Sequence, residues 1–155
     1  MRTLNNLKPH HRKSIEKLTA QLEKKANFQA LILGGSITKG YERENSDIDI
    51  MIVIPDEEFQ KRRRRKRLMY FDTSVCNYPD GYVDGKLVSI PFLKLVAEKG
   101  GEPARDAISR CHYCLFENSG SSSSPGQNSY LSKRTKIRKN SKIFHSIRIR
   151  KLGAN

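Results

Sequence analysis

A chain of 155 residues, 36% hydrophobic and 30% charged, suits one domain with an appendage and leaves little room for a second. No apolar run approaches the roughly 20 residues of a membrane-spanning helix, and "MRTLNNLKPHHRK" turns polar too early for a secretory leader, so the expectation is a cytoplasmic protein with its three cysteines reduced. The net charge of +14 is concentrated: residues 119–155 hold nine Lys or Arg and no acid, Lys61–Arg67 adds seven cations, and the remainder is slightly acidic.

Residues 9–25, "PHHRKSIEKLTAQLEKK", place Ile15, Leu18 and Leu22 at i, i+3 and i+7, the one-sided apolar stripe of an amphipathic helix, with His10 and His11 at its solvated start. "FQALIL" (28–33) reads as a buried strand closed by Gly34 and Gly35, and "DIDIMIVI" (47–54) as a second strand, β-branched and stopped by Pro55. A helix is expected from about Asp56 to Tyr70, because acids fill its first turn and the basic run falls toward its end, matching the helix dipole. "GYVDGKLVSI" (81–90) is strand material interrupted by Asp84 and Gly85. "PFLKLVAEKGG" is a short helix between proline and glycine, and "EPARDAISR" starts another.

After about Cys111 the composition shifts to "ENSGSSSSPGQNS" and then to a basic stretch without sustained periodicity. The expected division is therefore a domain at 1–112 and a low-complexity basic tail at 113–155, either disordered or the product of a reading-frame shift near residues 109–112.

In an extended strand Asp47 and Asp49 project to one side and the isoleucines to the other. Their Cα atoms lie about 6 to 7 Å apart, a spacing from which two carboxylates converge on one cation or bracket two. A divalent ion relieves both their repulsion and their desolvation. Gly34 and Gly35 allow a sharp turn and close approach to a ligand, after which Ser36 and Lys39 can meet a phosphate chain. The plainer reading of the two acids is a strand end paired with nearby Lys or Arg.

These residues resemble the nucleotidyltransferase superfamily that includes DNA polymerase beta, the kanamycin nucleotidyltransferases and the small minimal nucleotidyltransferases. The likeness rests on "LILGGS", Gly40 and "SDIDIMIVI", within residues 31–54. It implies an α+β fold with a mixed sheet flanked by helices, a nucleoside triphosphate across the Gly34–Gly35–Ser36 turn, and Mg²⁺ on the paired aspartates. It also implies transfer of a nucleoside monophosphate to an acceptor: a protein, a nucleic acid or a small molecule.

The superfamily uses a third carboxylate from a later strand. Asp84 is the candidate, as catalytic group and metal ligand, while an Asp-Gly pair is equally a hairpin signal, and "Val88-Ser89-Ile90" is the competing match for that position. A non-catalytic module, such as an antitoxin for a helical toxin-type protein, is the alternative function. A basic nucleic-acid binder is the third reading, although no aromatic interrupts Lys61–Arg67 and a solvated helix face explains that run more simply. Cys111-His112-Tyr113-Cys114 has half the pattern of a zinc site and lacks the other half.

Overall fold

The computed structural model describes residues 6–104 and 112–114. Pro9 opens helix α1 (Pro9–Leu22), where its missing N–H costs nothing, and Ile15, Leu18 and Leu22 form the buried stripe. His11 lies four residues before Ile15 and so shares that stripe. Contrary to the expectation of a solvated helix start, it is fully buried, its ring packed on His10 at 4.1 Å and edge-on to Tyr78 at 5.0 Å between centroids. Burial, and then the neighbouring His10, lower the His11 pKa and keep it neutral.

The sheet contains β1 (Ala30–Leu33), β2 (Ile48–Val53), β3 (Met69–Asp72), β4 (Val83–Val88) and β5 (His112–Cys114) in the order β3-β4-β2-β1-β5. β2 and β4 run parallel while the other neighbours are antiparallel, so the expected mixed sheet is present. Strand alternation sends Ile48, Ile50 and Ile52 to one face, where they pack with Leu31, Leu33 and Leu87 beneath Ile15, Leu18 and Leu22. Full burial of each such side chain contributes about 1.5–3 kcal/mol. Phe59 of α3 (Asp56–Arg64) joins that layer and touches Phe92, ring to ring at 5.1 Å.

On the opposite face, Ala30, Ile32, Val53 and Val88 pack against Leu93 of α4 (Ile90–Lys99). Helix α4 thus covers the end of the face near Val53 and Val88. Asp49, Met51, Asp84 and Lys86 occupy the other end, where a cleft opens.

Two expected elements are corrected. Helix α3 stops at Arg64 rather than near Tyr70, and Lys66 adopts a left-handed φ of 55°. Lys61 and Arg62 are matched by Glu57 and Glu58 one turn earlier, at 2.7 and 2.6 Å. Continuing the helix would instead stack Arg65 over Lys61 and Lys66 over Arg62, like charges at i, i+4. Tyr70 and Phe71 gain more from pairing with β4, opposite Gly85 and Asp84.

The second correction concerns Asp84 and Gly85, which form no hairpin and lie inside an uninterrupted β4. Gly85 pairs with Ile50 on one side and Tyr70 on the other. A Cβ there would strike the Ile50 side chain and come within 2.8 Å of its carbonyl oxygen, so glycine is what lets β2 and β4 close together. Ladder pairing on both edges overrides the local turn preference of Asp-Gly.

β5 extends the sheet two residues past the boundary at residue 112 drawn from composition. Cys111 and the remainder of the basic tail lie outside the described residues, as does the helix expected from 102 onward beyond residue 104. Among the described residues no helix is long and apolar enough to cross a membrane.

Candidate active site

The chain leaves β1 at Leu33, turns through Gly34 and enters the short helix α2 (Gly35–Lys39), which Gly40 closes. The Gly34 N–H donates to the Asp49 carbonyl at 2.9 Å, pinning this turn to the strand that carries the acid. Gly35 has a φ of +63°, and a Cβ on it would drive into the Asp49 carboxylate. Glycine is therefore required twice, by backbone conformation and by contact. Thr38 Oγ1 donates to the Gly35 carbonyl at 3.0 Å and steadies the turn from within.

Asp49 stands directly opposite Asp84 in the parallel β2–β4 register. Neighbouring strands are about 4.8 Å apart, so two carboxylates share a small area on one face of the sheet. Asp47 precedes β2 by one residue. Burial raises the Asp49 pKa, the charges of Asp47 and then Asp84 raise it further, and Lys39 works in the opposite direction. Beside them, the Tyr82 hydroxyl is pushed upward, first by Asp47 and then by burial, with smaller contributions from Asp84 and Asp49.

Gly34, Gly35, Lys39, Asp49 and Asp84 line one open cleft of about 440 Å³. Asp47 and Ser36 are not among its lining residues: Asp47 acts on Asp49 through charge, and Ser36 Oγ is buried with no hydrogen-bond partner among the described residues. Thr38, Met51 and Lys86 also line the cleft and were not singled out from the sequence. The alternation that puts Asp84 on this face puts Lys86 there too, two residues on. That signal becomes readable once β4 is known to be unbroken.

Ser89 lies at the far end of β4 from Asp84. Its buried hydroxyl donates to Asp56 Oδ1 at 2.6 Å and accepts from the Phe92 N–H at 3.4 Å, capping α4 and tying it to α3. Ser89→Ala is therefore expected to cost about 1–2 kcal/mol of stability, read as a lower urea midpoint. Wild-type stability in that variant would show that the cap and the link to Asp56 contribute nothing.

Among the described residues, no three His, Cys, Asp or Glu side chains converge as a ready-made cation cage. The donor set nonetheless suits a hard divalent cation: carboxylate oxygens from Asp49 and Asp84 abreast, a third acid close enough to be felt, and a raised Asp49 pKa that a bound cation would reverse.

The domain is thus an α+β fold with two acids abreast on a mixed sheet, facing a short helix entered through glycines. Residues 16–77 match the family model described as Polymerase beta, Nucleotidyltransferase, so the likeness covers the stretch from within α1 to just past β3. The match takes in Gly34 to Lys39, Asp47 and Asp49, and ends before Asp84. A comparison with curated proteins found no match.

Proposed function

We propose that the cleft binds a nucleoside triphosphate with Mg²⁺ and transfers the nucleoside monophosphate to an acceptor hydroxyl. The observation that carries this reading is the placement of Asp49 and Asp84 abreast, opposite the turn that Gly34 pins to β2. Asp47, Asp49 and Asp84 would hold the metal, which when bound screens their repulsion and polarises phosphate oxygens.

The chain's own residues do the remainder. The Gly34–Gly35 turn lets a triphosphate approach the backbone. Asp84 accepts the proton of the acceptor hydroxyl as the new O–P bond forms at the α-phosphate. The bond from the α-phosphorus to the β-bridging oxygen breaks, and pyrophosphate leaves with its charge balanced by Lys39, which lines the same cleft.

Incubation of the full chain with each α-labelled nucleoside triphosphate and Mg²⁺ tests the reading. The expected result is metal-dependent thermal stabilisation and pyrophosphate release, both lost in the Asp47→Ala, Asp49→Ala double variant. Absence of metal-dependent nucleotide binding overturns the proposal. Stabilisation without turnover reduces it to a nucleotide-binding module.

A further inference from the structure

We infer that β3 and Tyr82 form a docking track for a single strand of nucleic acid, whose terminal hydroxyl is brought to Asp84 as the acceptor. The acceptor role rests on the transfer reading above; the binding does not.

Met69 and Phe71 are 63% and 67% exposed although they belong to a strand of the sheet. Phe71, opposite Asp84 in the register, stands on the side of the sheet that carries the acids, while Met69, opposite Lys86, also borders the groove lined by Ile52 and Ile54 at the sheet edge. The Phe71 ring lies 5.5 Å from that of Tyr82 at an interplanar angle of 32°, a solvent-facing aromatic pair beside the acids. Bases stack on such rings without regard to sequence.

The second observation is charge. Lys61 and Arg62 are matched by Glu57 and Glu58, whereas Arg63, Arg64, Arg65, Lys66 and Arg67 are exposed and have no acidic partner among the described residues. These unmatched cations lead directly into β3. From Arg67 to Phe71 is about 13 Å of extended chain, within reach of a short nucleotide stretch. Aromatics absent from the basic run itself are thus supplied by the strand that follows it and by Tyr82. An acidic peptide would match the cations and gain little from two flat rings, whereas a nucleic-acid strand offers phosphates and bases together.

Fluorescence anisotropy of the full chain with labelled single-stranded oligonucleotides, without nucleoside triphosphate or metal, tests this. Binding is expected to weaken steeply with salt. Phe71→Ala, at an exposed position that tolerates truncation, should weaken it about tenfold and leave the salt dependence unchanged. Replacing Arg63, Arg64, Arg65 and Arg67 with glutamine should flatten the log–log salt slope by up to about 3.

Wild-type affinity in Phe71→Ala, or duplex or acidic peptide bound as tightly as the single strand, overturns the inference. Either result would mean that cations elsewhere, the basic tail included, do the binding. Ribose and deoxyribose oligonucleotides in parallel decide the sugar. A chain that binds the strand through Phe71 and transfers nothing loses only the catalytic reading; one that transfers nucleotide with no contribution from Phe71 loses only this one.

Discussion

Asp49→Asn should lower nucleotidyl transfer by at least about 10³-fold while making the metal-free protein more stable. On the proposed function the variant removes a metal ligand, which contributes several kcal/mol to the transition state, where each 1.36 kcal/mol is tenfold in rate. The gain follows from the raised pKa of Asp49, caused by burial and by its acidic neighbours. A raised carboxyl pKa means that the folded state holds its proton more tightly than the unfolded chain does. At pH values below the ordinary 3.8 the group is neutral in both states and costs nothing; as pH climbs from there through the raised value, stability is lost. Above the raised value wild type bears that cost, and asparagine does not.

Mg²⁺ with nucleotide should reverse the order, raising the melting temperature of wild type and leaving the variant where it was. Calorimetry with and without the metal reads the crossing directly. An Asp49→Asn protein that melts below wild type in chelator would mean that Asp49 is a satisfied structural acid.

Gly35→Ala should be nearly as severe for a different reason. A left-handed conformation costs a residue with a Cβ about 1–2 kcal/mol, and here the new carbon also meets the Asp49 carboxylate. The turn cannot swing clear on its own, because the Gly34 N–H is bonded to the Asp49 backbone. A total loss of about 2–4 kcal/mol is expected, together with loss of metal-dependent nucleotide binding.

Coupling separates the two contributions. In an Asp49→Ala background the clash with the carboxylate disappears, while the 2.9 Å approach to the Cβ of residue 49 and the backbone part stay, so the double variant should be more stable than the sum of the single changes predicts. Strict additivity in urea melts would show that the two residues do not touch.

The parts of this site that could be read from the sequence are those set by neighbours along the chain. Gly34, Gly35, Lys39 and Asp49 fall within one short stretch and line one cleft, whereas Ser36 and Asp47 from the same stretch do not line it. Asp84 could not be settled that way. Whether Asp-Gly bends or runs straight was decided by Ile50 and Tyr70 on either side of Gly85, contacts that lie 35 and 15 residues away. β3 was hidden because acids and then cations in dipole order carry a helical signal up to the point where like charges would stack. Ser89 competed with Asp84 because Val88-Ser89-Ile90 matches the hydrophobic-polar-hydrophobic pattern that the resemblance implies for the third acid. In the fold its hydroxyl is engaged by Asp56 and by the cap of α4.

The pairing of β2 with β4 has one more consequence. Chain order takes the polypeptide from the first acid-bearing strand through α3 and β3 before it returns beside its starting point. A slip of one residue on that return would rotate the second acid into the isoleucine layer and bring a valine or glycine out in its place. A chain misregistered at this seam would lack one of the two facing carboxylates, so the pairing of β2 with β4 decides whether the acids meet at all.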